Sequence, residues 1–109
     1  MKVAIIGSRT ITDIDLEPLV PREATQIITG GARGVDALAR AYAGAHGLPC
    51  TELRPDYARY RRGAPLRRNR EIVGAADLVI AIWDGVSRGT ASVIAECGRT
   101  GMPCTVIRI

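Results

Sequence analysis

Phenylalanine is absent from this chain, and one tryptophan and three tyrosines are the only aromatic residues among 109. A core without large rings has to be assembled from alanine, valine, isoleucine and leucine, the side chains that fill a sheet covered by helices. Lys2 is the only lysine, so arginine carries nearly all of the 15 basic charges behind a net charge of +4. Guanidinium grips oxyanions through paired hydrogen bonds. A genome's codon composition would produce the same bias, and a charge of this size permits nucleic-acid binding without arguing for it. Cys50, Cys97 and Cys104 form no C-x-x-C pair, and they read as small buried hydrophobes. No cluster of histidine, cysteine and carboxylate has metal-ligand spacing, so no metal site is expected. No apolar run approaches the roughly 20 residues of a membrane helix, and Val3 to Ile6 is too short for a secretory signal. A cytoplasmic protein without a membrane partner is expected.

What remains is the make-up of an ordinary globule: 47% hydrophobic, 24% charged, mean hydropathy +0.09. A chain this long hides about two-thirds of its unfolded surface, which suits one domain over residues 1–109. Five short, β-branched runs read as strands buried on both faces: Val3–Ile6, Gln26–Thr29, Cys50–Leu53, Leu78–Ile82 and Cys104–Arg108. Thr12 to Asp15 has capping-box spacing and predicts a short helix ended by Pro21. Val35 to Ala45 puts Val35, Leu38, Ala39 and Tyr42 on one face and stops at Gly47. Arg67 to Gly74 and Thr90 to Arg99 complete the helices, the last closed by Gly101 and Pro103. The alternation predicts an α/β, Rossmann-like three-layer sandwich with a five-stranded parallel sheet in order 3-2-1-4-5.

That order locates a site. Ligands of open α/β sheets bind outside the carboxyl ends of the strands, where the winding reverses. The loops falling there are Gly7-Ser8-Arg9, then Gly30-Gly31-Ala32-Arg33-Gly34, and Asp84-Gly85-Val86-Ser87-Arg88-Gly89-Thr90. In the last loop Gly85 and Gly89 let backbone approach a ligand, Ser87 and Thr90 offer hydroxyls, and the amides of Gly89 and Thr90 open a helix whose dipole favours phosphate. The second loop adds Arg33 for an anion and Asp36 for the helix dipole or a ribose hydroxyl. Arg9 sits at the switch point, and Arg68 and Asn69 approach from the third helix.

Two tempting patterns fail. Gly85 to Gly89 spells G-x-S-x-G, but the only histidine, His46, precedes the serine instead of following it. Gly7 follows the first strand, yet the second and third glycines of the dinucleotide fingerprint are missing. Between Arg54 and Arg70 lie seven arginines with Tyr57 and Tyr60 among them. This segment reads as a nucleic-acid surface, as a flap over a nucleotide with Tyr57 stacking on the base, or as a solvated connection or dimer contact.

Together these segments resemble the SLOG superfamily, specifically its short YspA-type members. The resemblance is carried by Ile5 to Arg9, Thr29 to Asp36, Pro55-Asp56-Tyr57 with Tyr60, Gly63 to Pro65, Arg68 to Glu71, Ala76-Asp77 and Asp84 to Thr90. Where the family usually shows tryptophan after the aspartate, this chain has Tyr57. The resemblance implies a Rossmann-like fold that binds nucleotides or their derivatives. Relatives include the LOG phosphoribohydrolases, the DNA-processing protein DprA and molybdenum-cofactor carriers. LOG enzymes place a catalytic glutamate just behind the threonine of P-G-G-x-G-T. Here the first glutamate after Thr90 is Glu96, so that residue is missing from its expected place.

Three functions follow as expectations: a sensor or carrier of a nucleotide-derived ligand with no required cofactor; a hydrolase of N-glycosidic or phosphoribosyl bonds using Asp36, Glu71 or Glu96; and a DprA-like binder of single strands. A homodimer is expected, as in the families the chain resembles.

Overall fold

The β-branched runs do form the sheet. In the computed structural model, which describes residues 1–109, β1 (Lys2–Gly7), β2 (Gln26–Thr29), β3 (Cys50–Glu52), β4 (Leu78–Trp83) and β5 (Cys104–Arg108) run parallel in the order β3-β2-β1-β4-β5. Register pairs Val3 with both Ile27 and Leu78, and Gly7 with Ile82. Successive side chains of a strand point to opposite faces, and the core divides accordingly. Val3, Ile5, Ile27, Ile80 and Ile82 pack against Val35, Ala39 and Ala43 of α1 (Val35–Ala45). Ala4, Ile6, Ile28, Val79 and Ala81 face Ile72 and Val73 of one helix and Val93 and Cys97 of another. The chain is therefore an α/β three-layer, Rossmann-like sandwich.

Burial on both faces holds for the three central strands but not at the margins. β3 is half-buried along its length, and Thr105 and Val106 of β5 are exposed. An edge strand has one neighbour, and the helices cover the centre of the sheet first. Cys97 is buried while Cys50 and Cys104 are only partly so. Burial pushes the Cys97 thiol up to about 12, which leaves it a small hydrophobe rather than a nucleophile.

The helix expected after Thr12 does not form. Asp15 Oδ1 accepts the Glu17 N–H at 3.0 Å, and Leu16 O accepts from Leu19 and Val20 at 3.0 and 3.2 Å, making an isolated turn. Pro18 disfavours helical backbone at Glu17, and Pro21 leaves no room for a second turn. Ile11, Leu16 and Val20 still reach the core from this coil.

Two helices run longer than the sequence pattern implied. The third, expected from Arg67, starts at Ala64 and ends at Ala75, with Pro65 in its first turn, where the missing N–H has no cost. The last spans Arg88–Thr100 and closes on Gly101 in the left-handed conformation. A short helix, α2 (Tyr57–Tyr60), and a 3-10 turn over Arg61–Gly63 were not anticipated. The two long helices are α3 (Ala64–Ala75) and α4 (Arg88–Thr100). Asp56 caps α2 by accepting the Arg59 N–H at 3.1 Å, and the Tyr60 ring lies 5.2 and 4.3 Å from the guanidinium carbons of Arg59 and Arg67. No helix is long and apolar enough to cross a membrane.

Arg61, at φ 52°, is the one non-glycine residue with positive φ. Such a conformation costs an L-residue about 1–2 kcal/mol, partly offset by the entropy glycine loses on folding. Arg61→Gly is expected to stabilise the protein by roughly 0.5–1 kcal/mol, read as a higher urea midpoint at unchanged slope. A lower midpoint would mean that the arginine side chain contributes more than its backbone loses.

Candidate functional site

Close backbone contacts bring the three loops together. A side chain on Gly7 would run into the Ile82 carbonyl and, at 2.7 Å, into Val35 Cγ2. Gly34, at φ 76°, would put a Cβ 2.5 Å from the carbonyl oxygens of Ser8 and Arg9. Ser8, 1% exposed, donates its N–H to Ile82 O at 3.0 Å and accepts the Asp84 N–H on Oγ at 3.1 Å. Its carbonyl takes the Val35 N–H at 3.3 Å. One residue thus laces the ends of β1 and β4 to the start of α1.

Asp84 organises the third loop. Its Oδ1 accepts from the N–H groups of Val86 and Ser87, both at 2.8 Å, and its Oδ2 from the Thr10 hydroxyl at 3.3 Å. The Ser87 and Val86 amides hold its carboxyl below the usual range. Gly85, at φ 83°, leaves room for the Arg108 guanidinium, which lies over Trp83, whose Nε1 donates to Ser87 O at 3.0 Å. Ser8, Asp84 and Gly85 therefore serve as scaffold and line neither hollow of the cleft. Ser87 caps α4: its Oγ lies 3.5 Å from the Thr90 nitrogen and 3.2 Å from Thr90 Oγ1. The Thr90 amide is turned toward this cap, and the amides without a protein acceptor are those of Arg88 and Gly89.

These loops enclose a cleft of two adjoining hollows. The inner one, about 300 Å³, is walled by Gly7, Asp36, Ser87 and Thr90 over an apolar floor of Ile6, Ile72 and Val93. The outer one, about 400 Å³, opens beside Gly31, Arg54, Pro55, Tyr57 and Pro65. Arg9, Gly30, Ala32, Arg68, Asn69 and Gly89 border both.

The polar groups of this neck are unequal. Arg9 is exposed and forms no ion pair. Arg68 is fixed: Nη1 donates to Gly30 O at 2.9 Å and Leu53 O at 3.2 Å, and Nε to Asn69 Oδ1 at 2.9 Å. Asn69 in turn donates to Ser92 Oγ at 3.3 Å. No protein acceptor meets Arg68 Nη2. Burial lowers the Arg68 pKa and the positive charge of Arg9 adds to this, while Asp36 opposes it.

Asp36 is 5% exposed; Oδ2 accepts the Ala32 N–H at 3.1 Å, whereas Oδ1 is buried without a partner, as is the Thr29 hydroxyl. Burial raises its pKa, opposed in part by the Ala32 amide and the Arg68 charge.

Other expected residues lie elsewhere. Arg33 is exposed and lines neither hollow. Glu71 is on the outer face of α3 near Arg67 and Arg70. Glu96 is held between α3 and α4 by Arg99 and, at 3.8 Å, by Arg70. Of the three carboxylates considered for catalysis, only Asp36 borders the cleft. His46 stacks on Tyr42 with ring centroids 4.1 Å apart and pairs with Glu17 at the far end of α1. Ala32, Arg54, Pro55 and Pro65 were not foreseen as lining residues. Arg54 and Pro55 follow the carboxyl end of β3, so the edge rule applied to the first, second and fourth strands pointed to them as well.

The sequence model of the YspA, cpYpsA-related SLOG family matches residues 1–60. Neither the curated proteins nor the solved structures give a match.

Proposed function

The chain belongs to the YspA, cpYpsA-related SLOG family, and from that premise we propose that it holds a phosphate-bearing nucleotide or nucleotide derivative in the two-part cleft, as a sensor or carrier. Membership fits nucleotide-related binding or processing; the finer reading draws its support from the neck of the cleft. The carrying observation is that Arg9 and Arg68 present guanidinium groups there, Arg9 with no carboxylate partner and Arg68 with Nη2 unused, beside the free amides that begin α4. Like charges brought together at a helix N-terminus are relieved by an anion between them.

A phosphate at this neck leaves the outer hollow for the base. Tyr57, 59% exposed, offers a ring on which a base can stack. Binding is favoured over cleavage because the residues bordering the cleft include one carboxylate, Asp36, and no histidine or cysteine. General acid–base hydrolysis most often draws on a histidine or a second carboxylate.

Calorimetric titration with AMP, ADP, ADP-ribose and NAD tests the proposal. Arg9→Ala is expected to weaken whichever ligand binds by about 1.5–3 kcal/mol, the range of a charged hydrogen bond. Its unfolding midpoint should stay close to that of the wild type, because the side chain is exposed and unpaired. Undiminished affinity would put the phosphate elsewhere. Chromatography of the same mixtures for released base would reveal turnover. Affinity confined to single-stranded oligonucleotides and falling steeply with salt would favour the nucleic-acid alternative.

A further inference from the structure

We infer that two copies of this chain pair along β5, antiparallel about a two-fold axis at Val106, so that their five-stranded sheets join into one. No residue bordering the cleft lies on β5, so the pairing stands apart from the ligand reading above.

The two edges of the sheet are built differently. An open edge invites pairing unless it is short, charged or marked by proline. β3 is all of these: three residues long, between Pro49 and Pro55, with Glu52 held by Arg40 and, at 3.1 Å, by Arg54. β5 has five residues, Cys104-Thr105-Val106-Ile107-Arg108, β-branched at the centre. Its one charge is drawn back toward β4, where the Arg108 guanidinium lies over Trp83 and against Gly85. Thr105 is exposed and Val106 is 43% exposed.

The free backbone of β5 is self-complementary. Pro103 O accepts the Val79 N–H at 3.0 Å, and the Ile109 N–H donates to Trp83 O at 2.9 Å. Val79 is level with Cys104, and Trp83 with Arg108. A parallel ladder uses alternate residues of a strand, so Thr105 and Ile107 face β4. Cys104, Val106 and Arg108 turn their N–H and C=O groups outward. These three positions are symmetric about Val106. An antiparallel copy centred there pairs Val106 with its own mate and Cys104 with Arg108 at either end. That makes about six backbone hydrogen bonds, two for each pair, and any other register pairs fewer of the three.

The side chains fit the same arrangement. Thr105 meets Ile107 of the second copy on the α1 face, and the two Val106 residues meet on the α4 face, β-branched pairs that stabilise sheets. Arg108 falls opposite Cys104, so no like charges confront each other. The axis crosses the sheet from face to face and sets the two α4 helices side by side. α4 lies over β4, so the helices stand roughly three strand spacings apart, about 14 Å. That exceeds the ~8–10 Å of touching helices, and they do not collide. Ser92 and Glu96 of α4 face Asn69 and Arg70 of α3, so helical spacing turns Ala91, Ile94 and Gly98 toward β5. This flank puts no charge between the helices, and the two Val106 side chains fill the space.

Sedimentation of the wild type at tens of micromolar is expected to give twice the 11.6 kDa of one chain. Val106→Pro deletes an outward N–H that β4 does not use, so the far-ultraviolet circular dichroism should stay that of the wild type. Both hydrogen bonds at the axis are lost, and the dissociation constant should rise at least about 30-fold. Val106→Lys sets two like charges face to face on the axis and should give monomer too; it decides the matter if the proline variant does not fold. Register is read by cross-linking in a chain carrying Cys50→Ser and Cys104→Ser. With oxidised glutathione, Val106→Cys should form an interchain disulfide, its two Cα atoms being about 5.5 Å apart. Thr105→Cys should not, because its two copies are offset along the strands. A wild type that sediments only as monomer overturns the inference. So does a dimer that both Val106 variants leave intact, or a cross-link that forms at 105 and not at 106.

Discussion

Gly89→Val is expected to abolish ligand binding while leaving the fold intact. A Cβ at position 89 would meet nothing within 4 Å, so the fold does not require glycine there. The residue lies in the first turn of α4, where glycine weakens a helix by roughly 0.5–1 kcal/mol relative to alanine. Yet it borders both hollows, and its N–H is one of the two uncommitted amides. Glycine in that place makes sense as room for a ligand. Valine should lower affinity at least about 100-fold, close to 3 kcal/mol, with an unchanged unfolding midpoint. Alanine should raise the midpoint slightly and cost less affinity. Circular dichroism melts beside calorimetric titration measure both quantities. A valine variant that melts normally and binds as wild type would remove the neck from the site.

Arg68→Ala is expected to do the opposite, damaging fold and site together. Three hydrogen bonds disappear, and the carbonyls of Gly30 and Leu53 are left without this donor. The loss should be about 2–4 kcal/mol, a fall in midpoint on the order of 10–20 °C for a domain of this size. Arg68→Lys keeps the charge but lacks the planar fork, so it should recover little of either property. A midpoint within a degree or two of wild type would show that these bonds do not tie α3 to the loops after β2 and β3.

The strands were legible because continuous β-branched runs between turn residues leave few alternatives, and their order placed the glycine loops on one edge. The helix after Thr12 was misread because capping-box spacing is a local signal, and Pro18 outweighs it. α2 was missed because the arginine-rich segment has no apolar period; Asp56, three residues before Arg59, was its only mark. Within the site, Arg9, Gly30, Asp36, Arg68, Asn69, Ser87, Gly89 and Thr90 come together on the cleft. Ser8, Asp84 and Gly85 belong to its frame, a distinction carried by hydrogen bonds and not by residue type. Ser87 and Thr90 satisfy each other across the α4 cap, which moves the available amides one position earlier than motif spacing implied.

The register of β1 constrains how the chain acquires its shape. β1 pairs on one side with β2, some two dozen positions away, and on the other with β4, where Lys2 N–H reaches Asp77 Oδ2 across 75 positions of sequence. Closing so long a loop is slow relative to local contacts. Until β4 arrives, the apolar flank of Val3 to Ile6 is an open edge, the kind that invites pairing with other chains. The strand at the centre of the finished sheet is thus the most hazardous one while the protein is being made.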